Sequence, residues 1–152
     1  MPQAVNLFQP HVITLSVGGN DLLSLLGPVP PTPGQVGAVL AQFGENLFGS
    51  LVQLCAIPDL RHIYVGNLYS IDRFPIETDA IIGAFNATLA GIVQVMNATC
   101  ANRIRVADVH AAFSRPQEGL LLINRNGADL FEVHPTNAGH RAIAAAFEAV
   151  HP

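Results

Sequence analysis

His11-Val12-Ile13-Thr14-Leu15-Ser16-Val17-Gly18-Gly19-Asn20-Asp21 is the stretch on which the fold turns. From His11 to Val17 the chain is β-branched and almost continuously apolar, and the run breaks at a pair of glycines. This pattern predicts a strand buried on both faces, as in a parallel sheet. The residues beyond it, Gly18 to Asp21, fall at the carboxyl end of that strand, where open α/β sheets place their ligands.

Downstream, the segment from Gly27 to Gly34 carries Pro28, Pro30, Pro31 and Pro33 and reads as a loop. Val36, Val39, Leu40, Phe43, Leu47, Leu51 and Leu54 then recur at spacings of three and four, which predicts an amphipathic helix ended by Pro58. His62-Ile63-Tyr64-Val65-Gly66 predicts a second strand, followed by a loop through Pro75. The span from about Glu77 to Met96 predicts a second long helix, and Ile104-Arg105-Val106-Ala107-Asp108-Val109 a third strand. A looser segment around Leu120 to Ile123 leads to an alanine-rich helix from about Thr136 to Val150. Strands alternating with helices imply βαβ units on one parallel sheet, in a single domain over residues 1–152. Three strands fall below the roughly 4–6 of a typical sheet. Either the first strand lies between later ones, or its neighbours lie outside these residues.

Composition narrows the partners. Half of the residues are hydrophobic, 12% are charged and the net charge is −4. That balance offers no basic patch for nucleic acid and no polybasic segment for an anionic membrane surface. No uninterrupted apolar run reaches the roughly 18 residues of a membrane span, so no transmembrane segment is expected. The first six residues show neither a charged nor an apolar leader region, so no signal peptide is visible. Cys55 and Cys100 match no zinc or redox spacing, and a count of two fits either a disulfide or two buried thiols, with buried thiols the slightly favoured expectation. His11, His62, His110 and His151 share no metal-ligand spacing, so structural or surface roles are expected and no metal site. Asn86-Ala87-Thr88 and Asn97-Ala98-Thr99 fit the glycosylation pattern, but both fall in a predicted helix.

Two segments can carry chemistry. In Gly18-Gly19-Asn20-Asp21 the glycines permit a sharp turn, and the Asn20 amide can be aimed at an anionic centre, as an oxyanion donor is. In Glu132-Val133-His134-Pro135-Thr136-Asn137-Ala138-Gly139-His140, Pro135 restricts the backbone of His134, which stands just before the last helix. An imidazole fixed there suits a general base, since its pKa lies near neutrality. Thr136 or Asn137 is the expected helix cap, and His140 is expected to pack or cap. Each segment alone is also an ordinary turn.

Taken together, the segments are more specific. Val12 to Leu23 resembles the third conserved block of the SGNH (GDSL-type) hydrolases, with its Gly-x-Asn-Asp core, and His134 to His140 is similar to the fifth. The resemblance runs from about Gln9 to Ala149. It implies a three-layer, flavodoxin-like α/β fold whose N-terminal strands precede residue 1, and a serine ester hydrolase needing no cofactor. Asn20 then matches the oxyanion-hole asparagine, His134 the general base, and Gly18, Gly19 and Asp21 the residues shaping the substrate-side turn. The substrate implied is a small-molecule or lipid ester. Two departures stand out. No Gly-Asp-Ser block occurs, and Ser16, Ser24, Ser50, Ser70 and Ser114 lack a nucleophile's context, Ser16 being expected within a buried strand. The family's acid position is Phe131 here, which leaves Glu132, or else Asp129, to orient His134, or else a dyad oriented by a backbone carbonyl, as the family allows. The chain as given is therefore expected to lack its nucleophile and to be inactive alone. The alternative is a non-catalytic, partner-dependent or ligand-binding protein of the same descent. An apolar first strand left at a sheet edge would also promote self-association.

Overall fold

The computed structural model describes residues 8–70, 76–113 and 134–152. Three of the predicted apolar runs form strands: β1 (Val12–Ser16), β2 (His62–Gly66) and β3 (Ile104–Ala107). They pair in parallel in the order β1-β2-β3, with Thr14 beside Tyr64 and Tyr64 beside Arg105. β2 is the central strand, and its Ile63, Tyr64 and Val65 are buried.

Among the described residues, β1 does not lie between later strands: it forms an edge of the sheet, and only one of its faces is covered. Leu15 is buried and Ile13 half-buried, both packed in the main core, while Val12, Thr14 and Ser16 are exposed. The expected burial on both faces is not found, because among the described residues a helix layer covers β1 on one side only. Ser16 accordingly stands on an open face and not within a buried strand.

Helix α1 (Gly19–Ser24) is a short turn that hydropathy alone did not predict. Helix α2 (Pro33–Cys55) starts two turns' worth of sequence signals at once. Thr32 Oγ1 accepts from the Gln35 N–H at 3.3 Å, Gln35 Oε1 accepts from the Thr32 N–H at 2.8 Å, and Pro33 occupies a first-turn position that needs no donor. Its Phe43, Leu47, Leu51 and Leu54 face the sheet, as the spacing predicted. Helix α3 (Ile76–Asn97) buries Ile82, Phe85, Leu89, Val93 and Met96 in the same core. Its segment Thr78–Asn97 is long and apolar enough to cross a membrane by length and composition alone. Here it packs against α2 and β3.

The two cysteines form a disulfide, Cys55–Cys100, with Cα atoms 5.5 Å apart, and are not the buried thiols expected. Spacing could not show that the ends of α2 and α3 converge. Arg103 reinforces the junction: its Nε donates to Cys100 O at 3.0 Å, Nη1 to Leu60 O at 2.6 Å and Nη2 to Cys55 O at 2.7 Å. Carbonyls at helix ends lack intrahelical donors, and one guanidinium supplies them here.

On the opposite face lie α4 (Val109–Ala112) and α5 (Asn137–Glu148), so helices flank the sheet on both sides in a three-layer α/β arrangement. α5 approaches β2 over Gly66, where a Cβ would sit 3.0 Å from the Phe147 ring. The third strand ends at Ala107, earlier than predicted, because Asp108 accepts from the Ala111 N–H and opens α4. Thr136 caps α5 by accepting from the Gly139 N–H at 3.2 Å.

Candidate active site

The turn after β1 is built on backbone geometry. Gly18 adopts φ +94°, a left-handed conformation that side chains disfavour, and its carbonyl accepts from the Leu22 N–H at 2.9 Å to start α1. A Cβ at Gly18 would stand 2.8 Å from the Phe43 ring. Phe43 in turn packs on Phe85 with ring centroids 5.1 Å apart. The turn is thus seated on the aromatic core, with Gly18 buried and Asn20 exposed above it.

A cavity of about 500 Å³ opens at this point, lined by Gly18, Gly19, Asn20 and Asp21 from the turn. Its other walls are Phe43, Asn46, Leu47 and Ser50 of α2, and Leu68 and Tyr69 after β2. The structure therefore brings four of the sequence-derived site residues to one cavity at the carboxyl end of the sheet. His134 is exposed just ahead of the α5 cap and is not part of that lining, while Glu132, Phe131 and Asp129 lie outside the described residues. His140, expected to pack or cap, exposes its side chain in the first turn of α5, and its backbone N–H donates to Thr136 O.

Sequence reading missed the wall formed by Leu68 and Tyr69. Leu68 is held by Asn86 of α3, whose Oδ1 accepts from the Leu68 N–H at 2.8 Å and whose Nδ2 donates to the Leu68 carbonyl at 2.9 Å. Asn97 repeats the device at Ile104, at 3.0 and 2.9 Å. The amide nitrogens that a glycan would need are engaged in both cases. Tyr69 stacks on Phe113 at 4.3 Å, and burial raises its phenol pKa. The position of these residues, just beyond the carboxyl end of a strand, was the available signal.

Beside this wall lies a polar cluster. Asn67 Nδ2 donates to Asp108 Oδ1 at 3.0 Å, and Asn67 Oδ1 accepts from the His110 N–H at 2.7 Å. Ser70 Oγ and His110 Nε2 share a hydrogen bond of 3.3 Å. The Asn67 amide, then the Ala111 N–H, hold the Asp108 carboxyl below its ordinary pKa, with help from nearby His110. Asp108 thus serves local hydrogen bonding at the end of β3. His62 and His151 join Tyr64 in a three-ring cluster, with centroids 5.7 to 6.0 Å apart. No group of three or more metal-ligating side chains occurs among the described residues.

Solved structures share this architecture. A catalytic mutant of Axe2, an acetylxylan esterase from Geobacillus stearothermophilus, aligns with a TM-score of 0.67 at 19% identity, covering 97% of this chain and 62% of that one. LAE5, an alpha/beta hydrolase enzyme from the metagenome of Lake Arreo, aligns at 0.63 with 18% identity and the same coverages. Phospholipase A1 from Streptomyces albidoflavus NA297 gives 0.59 at 18%, covering 98% of this chain and 75% of that one. At such identities the likeness establishes the fold, and the chain spans about 62% of the length of the first two. No curated protein matches significantly. The family model for GDSL-like lipases and acylhydrolases matches residues 1–147, and the chain belongs to this family of ester hydrolases.

Proposed function

We propose that this chain forms the oxyanion and general-base side of a carboxylic ester hydrolase whose nucleophilic serine comes from outside these 152 residues. The observation that carries the reading is the left-handed Gly18 turn, which sets Asn20 on the rim of a cavity at the carboxyl end of β1. In the reaction, a serine hydroxyl attacks the ester carbonyl while His134 takes its proton and passes it to the departing alcohol. The carbonyl oxygen becomes an anion, and the Asn20 amide donates to it. The imidazole's orienting acid in this reading is Glu132, or else Asp129, both outside the described residues. Water then repeats the sequence on the acyl-serine and releases the acid. Alone, the chain is inactive. A second reading, a binding protein without catalysis, draws on the same cavity, which needs no serine to admit a ligand.

Fluorophosphonate labelling read by intact mass tests the assignment. The purified chain is expected to take no adduct. Joined to a segment carrying Gly-Asp-Ser, it is expected to take one adduct, on that serine, that disappears in the His134→Ala variant. An adduct on the 152-residue chain itself, lost with His134→Ala, would overturn the claim that its nucleophile lies elsewhere. A joined protein that labels equally without His134, or not at all, leaves the binding reading standing.

A further inference from the structure

The Cys55–Cys100 disulfide lies where α2 ends and the chain turns from α3 towards β3. Cys100 has 0% of its surface exposed and belongs to the cluster that also holds Leu54, Leu60, Met96 and Ile104. Cys55 is half-buried and packs against the same cluster. This burial does not depend on what lies outside the described residues, since further chain can only add cover. The sequence holds no third cysteine that could exchange with the pair.

Reduction by a dithiol takes two displacements. A thiolate attacks one protein sulfur in line with the S–S bond, a mixed disulfide forms, and the other cysteine leaves as a thiolate. The second thiol of the reductant then displaces the protein and closes its own disulfide. Two electrons pass to the protein, and two protons end on Cys55 and Cys100. Neither first step is open in the folded chain. Attack on Cys100 needs a path to a residue with no exposed surface. Attack on Cys55 expels the Cys100 thiolate among leucine, isoleucine, phenylalanine and methionine side chains, where a charge loses its water. Arg103 pulls the other way through its charge, but its Nε, Nη1 and Nη2 are each turned to a backbone carbonyl and not to sulfur. Those bonds tie the end of α2, the approach to β2 and the turn before β3 to one side chain, so the junction opens only with the core.

We infer that the native fold seals this disulfide: a reductant reaches it only through unfolding, and the bond is made while the chain folds, before Cys100 is enclosed. Its formation passes two electrons and two protons to an oxidant of the disulfide class, such as oxidised glutathione, as oxidising compartments supply. The seal is independent of the hydrolase assignment.

Dithiothreitol tests it on the purified 152-residue chain across a series of urea concentrations. Samples are quenched with iodoacetamide and weighed intact, each freed thiol adding one carbamidomethyl group. Circular dichroism over the same series gives the unfolded population and its extrapolation to native buffer. Native domains hold unfolded fractions of about 10⁻³ or less, so reduction in native buffer is expected to be about 10³-fold or more slower than in denaturing urea. The rate is also expected to rise in step with the unfolded population. A smaller ratio overturns the inference, as does a rate that stays flat while that population grows, because either means that the sulfurs are reached in the folded state. A chain that takes two carbamidomethyl groups with no reductant holds no such bond, and overturns it as well.

Discussion

At Gly18 one backbone angle decides whether Asn20 reaches the cavity rim. An alanine there would hold a left-handed conformation at a cost of about 1–2 kcal/mol. Its Cβ would also press against Phe43 at 2.8 Å. Gly18→Ala is therefore expected to lower the melting temperature and to distort the turn, read as amide shifts at Gly19 and Asn20. An unchanged melt would show that the turn is softer than its packing implies. Asp108 offers a test in acid. Its carboxyl is held below the ordinary value by Asn67 and Ala111, so its contribution is present above that value and lost as pH falls through the lowered one. Asp108→Ala should cost about 1 kcal/mol near neutrality, as loss of a helix cap does. The melting temperatures of parent and variant should converge in acid, and a gap independent of pH would refute the role assigned to the charge. Gly18 and Asn20 were legible in the sequence because their chemistry is local. The Asn67–Asp108–His110–Ser70 cluster was not, because it joins residues 41 and 43 positions apart that only strand pairing brings together.

Among the elements, α2 and α3 were readable almost to the residue, since a helix facing a sheet repeats its apolar positions at intervals that survive in one dimension. β1 misled for an equally physical reason. Val12 and Ile13 are both apolar, yet only Ile13 packs in the core, and hydropathy records what a residue tolerates, not what covers it. The disulfide depends on how two helices end. Cys55 closes α2 and Cys100 follows α3, 45 residues later. Closing a loop of that length limits the unfolded chain by about 4 kcal/mol in the entropy account. Reduction, or Cys100→Ser, should lower stability to denaturant by an amount of that order. A loss well below it would mean that Arg103 already fixes the junction through its three carbonyl bonds.

Across the whole molecule, stability should be graded outwards from β2, which is buried on both faces between two paired strands. The amides of Ile63 and Val65 are expected to exchange slowest with solvent hydrogen, and protection centred on α1 instead would contradict the layered core described above. The sequence revealed the class of the fold and half of the candidate site, Asn20 and its turn, but not the wall that faces them, because Leu68 and Tyr69 have no chemical signature of their own. That wall depends on Asn86, and Asn86 stands in a glycosylation pattern with its amide nitrogen committed to Leu68. A glycan would replace one hydrogen on that nitrogen and leave the other, together with Oδ1, so both bonds to Leu68 remain chemically possible and only the bulk of the sugar opposes them. In a host that glycosylates chains during synthesis, a sugar attached before α3 docks would have to find room beside Leu68, so the order of two events in time, and not any change of sequence, would bear on how closely the cavity wall packs.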